Sequence, residues 1–73
     1  MNKLDDRDIS AEILAKVIDN YVIGNNAQRN REILKLRLID GIKYEELAEK
    51  FDLSPKQIQN IIKKHENKVF MHL

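Results

Sequence analysis

The side chains best suited to chemistry lie in the last third of the chain, and they form hydrogen bonds rather than make or break covalent ones. Lys56, Gln57, Gln59 and Asn60 follow one another almost without a gap. A lysine ammonium donates to guanine acceptors, and a glutamine or asparagine amide bonds adenine in bidentate fashion. This run can therefore address base edges in a major groove. Lys63, Lys64 and Lys68 come a little later, with Ser54 and Lys43 upstream. These suit phosphate oxygens, the sequence-independent part of nucleic-acid affinity. Means for covalent catalysis are scarce: the chain has no Cys and no Thr, and its only serines, Ser10 and Ser54, are both placed to cap helices. Glu45, Glu46 and Glu49 cover one side of a helix, without a spacing argument for acid/base work. His65 falls on an apolar stripe and His72 lies seven positions on, with no third ligand at a useful interval, so no zinc site is expected. There is no glycine-rich phosphate loop. The expectation is a binding protein, with no enzyme activity, no cofactor and no metal.

Charge is distributed to match. The 73 residues carry net +1, but residues 1–26 are net −2, residues 27–53 net 0 and residues 54–73 net +3. The basic excess sits where the base-reading run sits. A chain this short buries only ~60% of the surface its unfolded form exposes, and without cysteine no disulfide supplements that. Two glycines, one proline and 5% aromatics favour helices over a β-sandwich or barrel. No apolar run approaches the ~18 residues of a membrane span, and Met1 to Asp6 lacks the apolar stretch of a signal peptide. A cytoplasmic protein with no membrane partner is expected.

Four helical segments must position these groups. Residues 1–9 are expected to fray. The first helix, 10–23, starts on Ser10 as N-cap, with Ile9 and Leu14 spaced as a hydrophobic staple. Ile13, Leu14, Val17, Ile18, Tyr21 and Val22 recur at helical spacing, and Gly24-Asn25-Asn26 closes the segment. A face of this kind either packs on the next helix or is left open for a symmetric dimer. The second helix, 27–40, takes Asn26 as its cap and is apolar on most sides through Ile33, Leu34, Leu36, Leu38 and Ile39, which makes it the central helix. Gly41 stops it. Tyr44, Leu47, Ala48 and Phe51 set a short third helix. Ser54-Pro55-Lys56-Gln57 announces the fourth: serine at the N-cap, proline at N1, and glutamine at N3 completing a capping box. Ile58, Ile61, Ile62, His65 and Val69 form its inner stripe, roughly 80° wide at ~100° per residue. Two short helices with a tight turn between them, the second capped and basic outside, describe a helix-turn-helix over residues 43–68. The apolar end, Val69 to Leu73, is either a core latch or a partner-binding end.

The run Arg31-Glu32-Ile33-Leu34-Lys35-Leu36-Arg37-Leu38-Ile39-Asp40-Gly41, with Tyr44-Glu45-Glu46-Leu47-Ala48 and then Leu53-Ser54 and Gln57-Ile58, resembles region 4 of bacterial RNA polymerase sigma factors. The resemblance covers about residues 29–70 and extends to related helix-turn-helix regulators of phages and mobile elements. It implies an all-α fold, contact with duplex DNA and RNA polymerase as a second partner. The family's base-reading positions fall here on Pro55, Lys56, Gln57, Gln59 and Asn60. Proline reads no base and the family's frequent arginines are absent, so its promoter specificity does not transfer. Nothing resembles the promoter-melting region 2 of those factors.

The sequence thus points to an all-α protein of about four helices that binds double-stranded DNA as a small transcriptional regulator, monomeric or weakly homodimeric. Two alternatives stand beside it: a protein–protein module docking on RNA polymerase or another partner, and a phage packaging or replication accessory protein.

Overall fold

A computed structural model describes residues 10–73, and they form four helices with no strand among them. They are α1 (Ala11–Tyr21), α2 (Ala27–Leu38), α3 (Tyr44–Phe51) and α4 (Pro55–Met71). The expected fraying of residues 1–9 and the Ile9–Leu14 staple lie outside the described residues.

α1 starts because the Ser10 hydroxyl accepts the amide of Ile13 at 3.1 Å, satisfying one of the free donors of the first turn. It ends two residues short of the expected limit. Val22 turns to an extended conformation and Ile23 faces outward. Gly24, at φ +100°, then takes the amide of Ala27 onto its carbonyl. This tight turn corrects the assignment of Asn26 as a capping side chain. Asn26 occupies the cap position, but in the left-handed region at φ 60°, and its side chain makes no capping bond. The Arg31 guanidinium ties the turn down instead, with Nε donating to the carbonyl of Val22 at 2.8 Å.

α2 is central, packing against each of the other helices, whereas α1 and α3 do not touch. Its last helical residue is Leu38, earlier than the expected Asp40, because the chain already folds back there. Gly41 at φ +70° lets its own amide reach the Arg37 carbonyl and the Ile42 amide reach the Leu36 carbonyl. Those bonds satisfy two carbonyls that the helix end leaves open. Ile18, Val22, Ile33, Leu34, Leu47, Ile58 and Val69 are fully buried, so all four helices share one core. Lys35 and Asp19 add an exposed ion pair at 2.9 Å between α1 and α2, worth at most ~1 kcal/mol.

α4 continues to Met71, beyond the expected end at 68, so the apolar segment is the last turn of a helix rather than a loose tail. It divides by face. Val69 is buried, and His72 stacks on Tyr21 of α1 with ring centroids 3.7 Å apart and planes within 2°. Phe70, Met71 and Leu73 point outward. Likewise Leu14, Val17 and Ile18 of α1, with Val22 just beyond its end, enter the core while Ile13 does not. No helix among the described residues is long and apolar enough to cross a membrane.

Candidate nucleic-acid interface

The α3–α4 connection is defined by backbone bonds. Asp52 adopts the left-handed conformation at φ 57°. Its amide reaches the Glu49 carbonyl, and the Leu53 amide reaches back to Ala48 at 2.9 Å. This is the paired closure that usually requires glycine at the left-handed position. α4 then begins on a complete capping box. The Gln57 amide donates to Ser54 Oγ at 3.1 Å, and the Ser54 amide donates to Gln57 Oε1 at 2.9 Å. Pro55 occupies the first turn, where its missing N–H costs nothing.

The box changes what two of the expected contact residues can do. Gln57 is exposed, but its carbonyl oxygen is committed to the backbone, leaving only its NH2 to reach outward. Bidentate recognition of adenine needs both ends of the amide, so Gln57 in this rotamer cannot supply it. The Ser54 hydroxyl accepts from Gln57 and keeps its proton free to donate to a phosphate.

Lys56, Asn60 and Lys63 are exposed and lie within one narrow outward stripe at helical spacing. Asn67 continues that stripe one turn on and is also exposed. It was absent from the expected contact set, although the recurrence 56, 60, 63, 67 was readable from spacing alone. Lys64 and Lys68 form one flank, on the same side as Gln57, while Gln59 stands on the opposite flank and is half-buried. Lys43 is exposed but belongs to another element, the extended residue before α3. The expected residues therefore separate into a central line of Lys56, Asn60 and Lys63, a lysine flank, and outlying positions at Lys43 and Gln59.

Glu66, the only acid of α4, is half-buried on the Gln59 flank of this stripe, one turn after Lys63. Carboxylates gather instead beside α3. A groove between α3 and the start of α4 is lined by Glu45, Glu49 and Asp52 with Ala48, Leu53 and Pro55. With Glu46 also lining it, this acidic groove borders the capped start of α4, next to Lys56.

The α2–α3 turn is held by a residue that sequence reasoning left without a role. Arg37 Nη1 donates to the Ile42 carbonyl at 3.1 Å, and its guanidinium lies 4.4 Å from the centre of the Tyr44 ring. Arg37, Gly41 and Tyr44 thus act as a unit that sets where α3 begins. Beneath the stripe, His65 is buried, and its pKa is lowered from the ordinary value, first by burial and then by the charges of Lys64 and Lys68. It is a neutral core residue. The described residues contain no group of three or more His, Cys, Asp or Glu that could hold a metal ion.

No family model, curated protein or solved structure matches the chain.

Proposed function

We propose that this protein binds duplex DNA, with α3 and α4 acting as a helix-turn-helix and α4 entering the major groove from its capped end. The observation that carries the reading is the outer face of α4, where Lys56, Asn60, Lys63, Lys64 and Asn67 are exposed with no carboxylate among them. A helix about 10–12 Å across with its side chains fits a major groove about 12 Å wide, and its first turns meet the base edges. In this reading Lys56 and Asn60 are the base readers, while Lys63, Lys64 and Lys68 approach the backbone. Ser54 and the amides at the helix start add further phosphate donors. The role is that of a small transcriptional regulator. RNA polymerase enters as a partner only through the sequence resemblance to sigma region 4.

The test is a titration of variants against selected and random duplexes at several salt concentrations. Asn60→Ala is expected to cost ~1–3 kcal/mol on the preferred site and to relax its sequence preference. Lys63→Ala is expected to weaken binding to all duplexes alike and to lower the slope of log affinity against log salt by ~0.9. If neither change alters affinity, α4 is not the reading element, and the protein-partner alternative takes its place.

A further inference from the structure

The capping box fixes the hydrogen-bonding sense of the groups that α4 offers at its leading end. Gln57 Oε1 accepts the Ser54 amide at 2.9 Å, and the amide nitrogen on the same carbon is held beside it, over the first turn. That nitrogen carries two hydrogens and accepts nothing. Lys56, exposed one residue earlier, carries an ammonium that likewise only donates. The Ser54 hydroxyl already accepts the Gln57 amide at 3.1 Å and has its proton left to give. Pro55 lacks an N–H, and the Ile58 amide is bonded to the Ser54 carbonyl. The amide of Lys56 has no partner among the described residues, and it too is a donor. The nearby carboxylates lie on the other side: the acidic groove meets α4 at Pro55, two positions and so ~200° of helical turn from Gln57.

We infer that Gln57 selects guanine, as a donor-only reader beside Lys56. The inference rests on the duplex-binding reading of α4 and names the base that its capped end meets. In the major groove guanine presents two acceptors, N7 and O6, and no donor. Adenine sets its N6 amino group beside N7, cytosine presents only its N4 amino group, and thymine offers one acceptor, O4, next to a methyl. A donor held against an amino group is left unpaired, which costs the full desolvation of that group. A donor held against guanine finds an acceptor in either of two places. Lys56 and Gln57, neighbours with the same hydrogen-bonding sense, therefore fit successive guanines on one strand. Lys64 and Lys68 share the flank of Gln57 but stand ~10 and ~16 Å further along the helix, at the level of the backbone rather than the bases.

The experiment reverses the sense of one group while keeping the cap. Gln57→Glu retains an oxygen to accept the Ser54 amide, since glutamate completes the same box, and turns the outward NH2 into a second oxygen. Its melting temperature is expected to stay within a degree or two of the wild type. Duplexes selected from a random pool by the wild type are expected to carry adjacent guanines. Those selected by Gln57→Glu are expected to replace one of the two by cytosine, whose N4 amino group the new acceptor takes. On the selected duplex, 7-deazaguanine at that position lacks the N7 acceptor and is expected to weaken the wild type roughly 5-fold or more, with no weakening of Gln57→Glu. Inosine, which keeps N7 and O6, is expected to bind the wild type as guanine does. Adenine at the position that responds to Gln57→Glu would mean that the glutamine leaves the cap to read with both ends of its amide, and overturns the inference. Equal weakening of Gln57→Glu on every duplex, with the preference unchanged, would put the NH2 on a phosphate and overturns it too. Both of those outcomes leave α4 as the reading element, whereas a wild type that retains no duplex rejects the DNA reading and the base assignment together.

Discussion

Ser54 and Gln57 bond each other twice, and this reciprocity makes their substitutions distinguishable from those of their neighbours. Ser54→Ala removes the oxygen that accepts the Gln57 amide and should destabilise the fold by ~1 kcal/mol. In a domain of this size that lowers the melting temperature by roughly 4–8 °C. Gln57→Ala removes the return bond and should also lower it. Asn60→Ala, exposed and free of such bonds, should leave it within a degree or two. Thermal melts of the three variants followed by circular dichroism check the ranking, and a Ser54→Ala protein that melts with the wild type would mean the cap does not hold the helix. His65 gives a second residue-scale expectation. Its folded pKa lies below the ordinary value of ~6.5, so the unfolded chain takes up the proton first. The contribution of the neutral imidazole is complete above pH ~6.5 and is lost as pH falls below it. Melting temperatures between pH 7.5 and 5 should therefore decline more steeply for the wild type than for His65→Met. Parallel curves would place the acid sensitivity elsewhere.

Helix starts and stops show how much of the elements could be read in advance. The beginnings of α1, α3 and α4 and the end of α3 were legible, because each rests on local signals: Ser10, the Tyr44–Phe51 spacing, and Ser54 with Pro55 and Gln57. The start of α2 at Ala27 was also legible, but not what holds it, and its end was not. Asn26 has the composition of a cap, yet its conformation is decided by the Gly24 turn and by Arg31 reaching Val22. The end is decided by Arg37 and Leu36 accepting bonds from the amides of Gly41 and Ile42. The candidate site was legible as a set of polar residues on one helix. The commitment of Gln57 to the cap was foreseeable from the box motif, but the half-burial of Gln59 and the split of the last turn into Val69 inside and Phe70 outside depend on tertiary packing. The α3–α4 connection supports a prediction of its own. Asp52 holds a left-handed conformation that costs a residue with a Cβ ~1–2 kcal/mol relative to glycine. Asp52→Gly should recover part of this and raise the melting temperature by a few degrees. A lowered melting temperature would show that the carboxylate contributes more than the conformation costs.

At the scale of the whole molecule, α4 holds the other three helices together, since α1 meets α2 and α4 but not α3. Its two ends do different work: the first turns carry the exposed polar stripe, and the last turns keep α1 in place through Val69 and His72. Val69→Ala removes two buried methyl groups at the far end from the stripe. The expected cost is ~1.5–3 kcal/mol from lost burial and the cavity left behind. For a fold of this size, with a total stability of about 4–11 kcal/mol, that is a large loss. Urea unfolding should show the midpoint moving down with the slope unchanged, whereas a shallower slope would mean that α1 detaches before the rest.

The stacked rings at that junction also give the protein an optical signature. With no tryptophan in the chain, its near-ultraviolet emission comes from Tyr21 and Tyr44 alone. One ring lies against an imidazole where the first and last helices meet, and the other lies beneath the Arg37 guanidinium at the α2–α3 turn. Tyr44→Phe keeps a ring under the guanidinium and leaves a single fluorophore. Its intensity and lifetime then record the parting of the first helix from the last, without any attached dye.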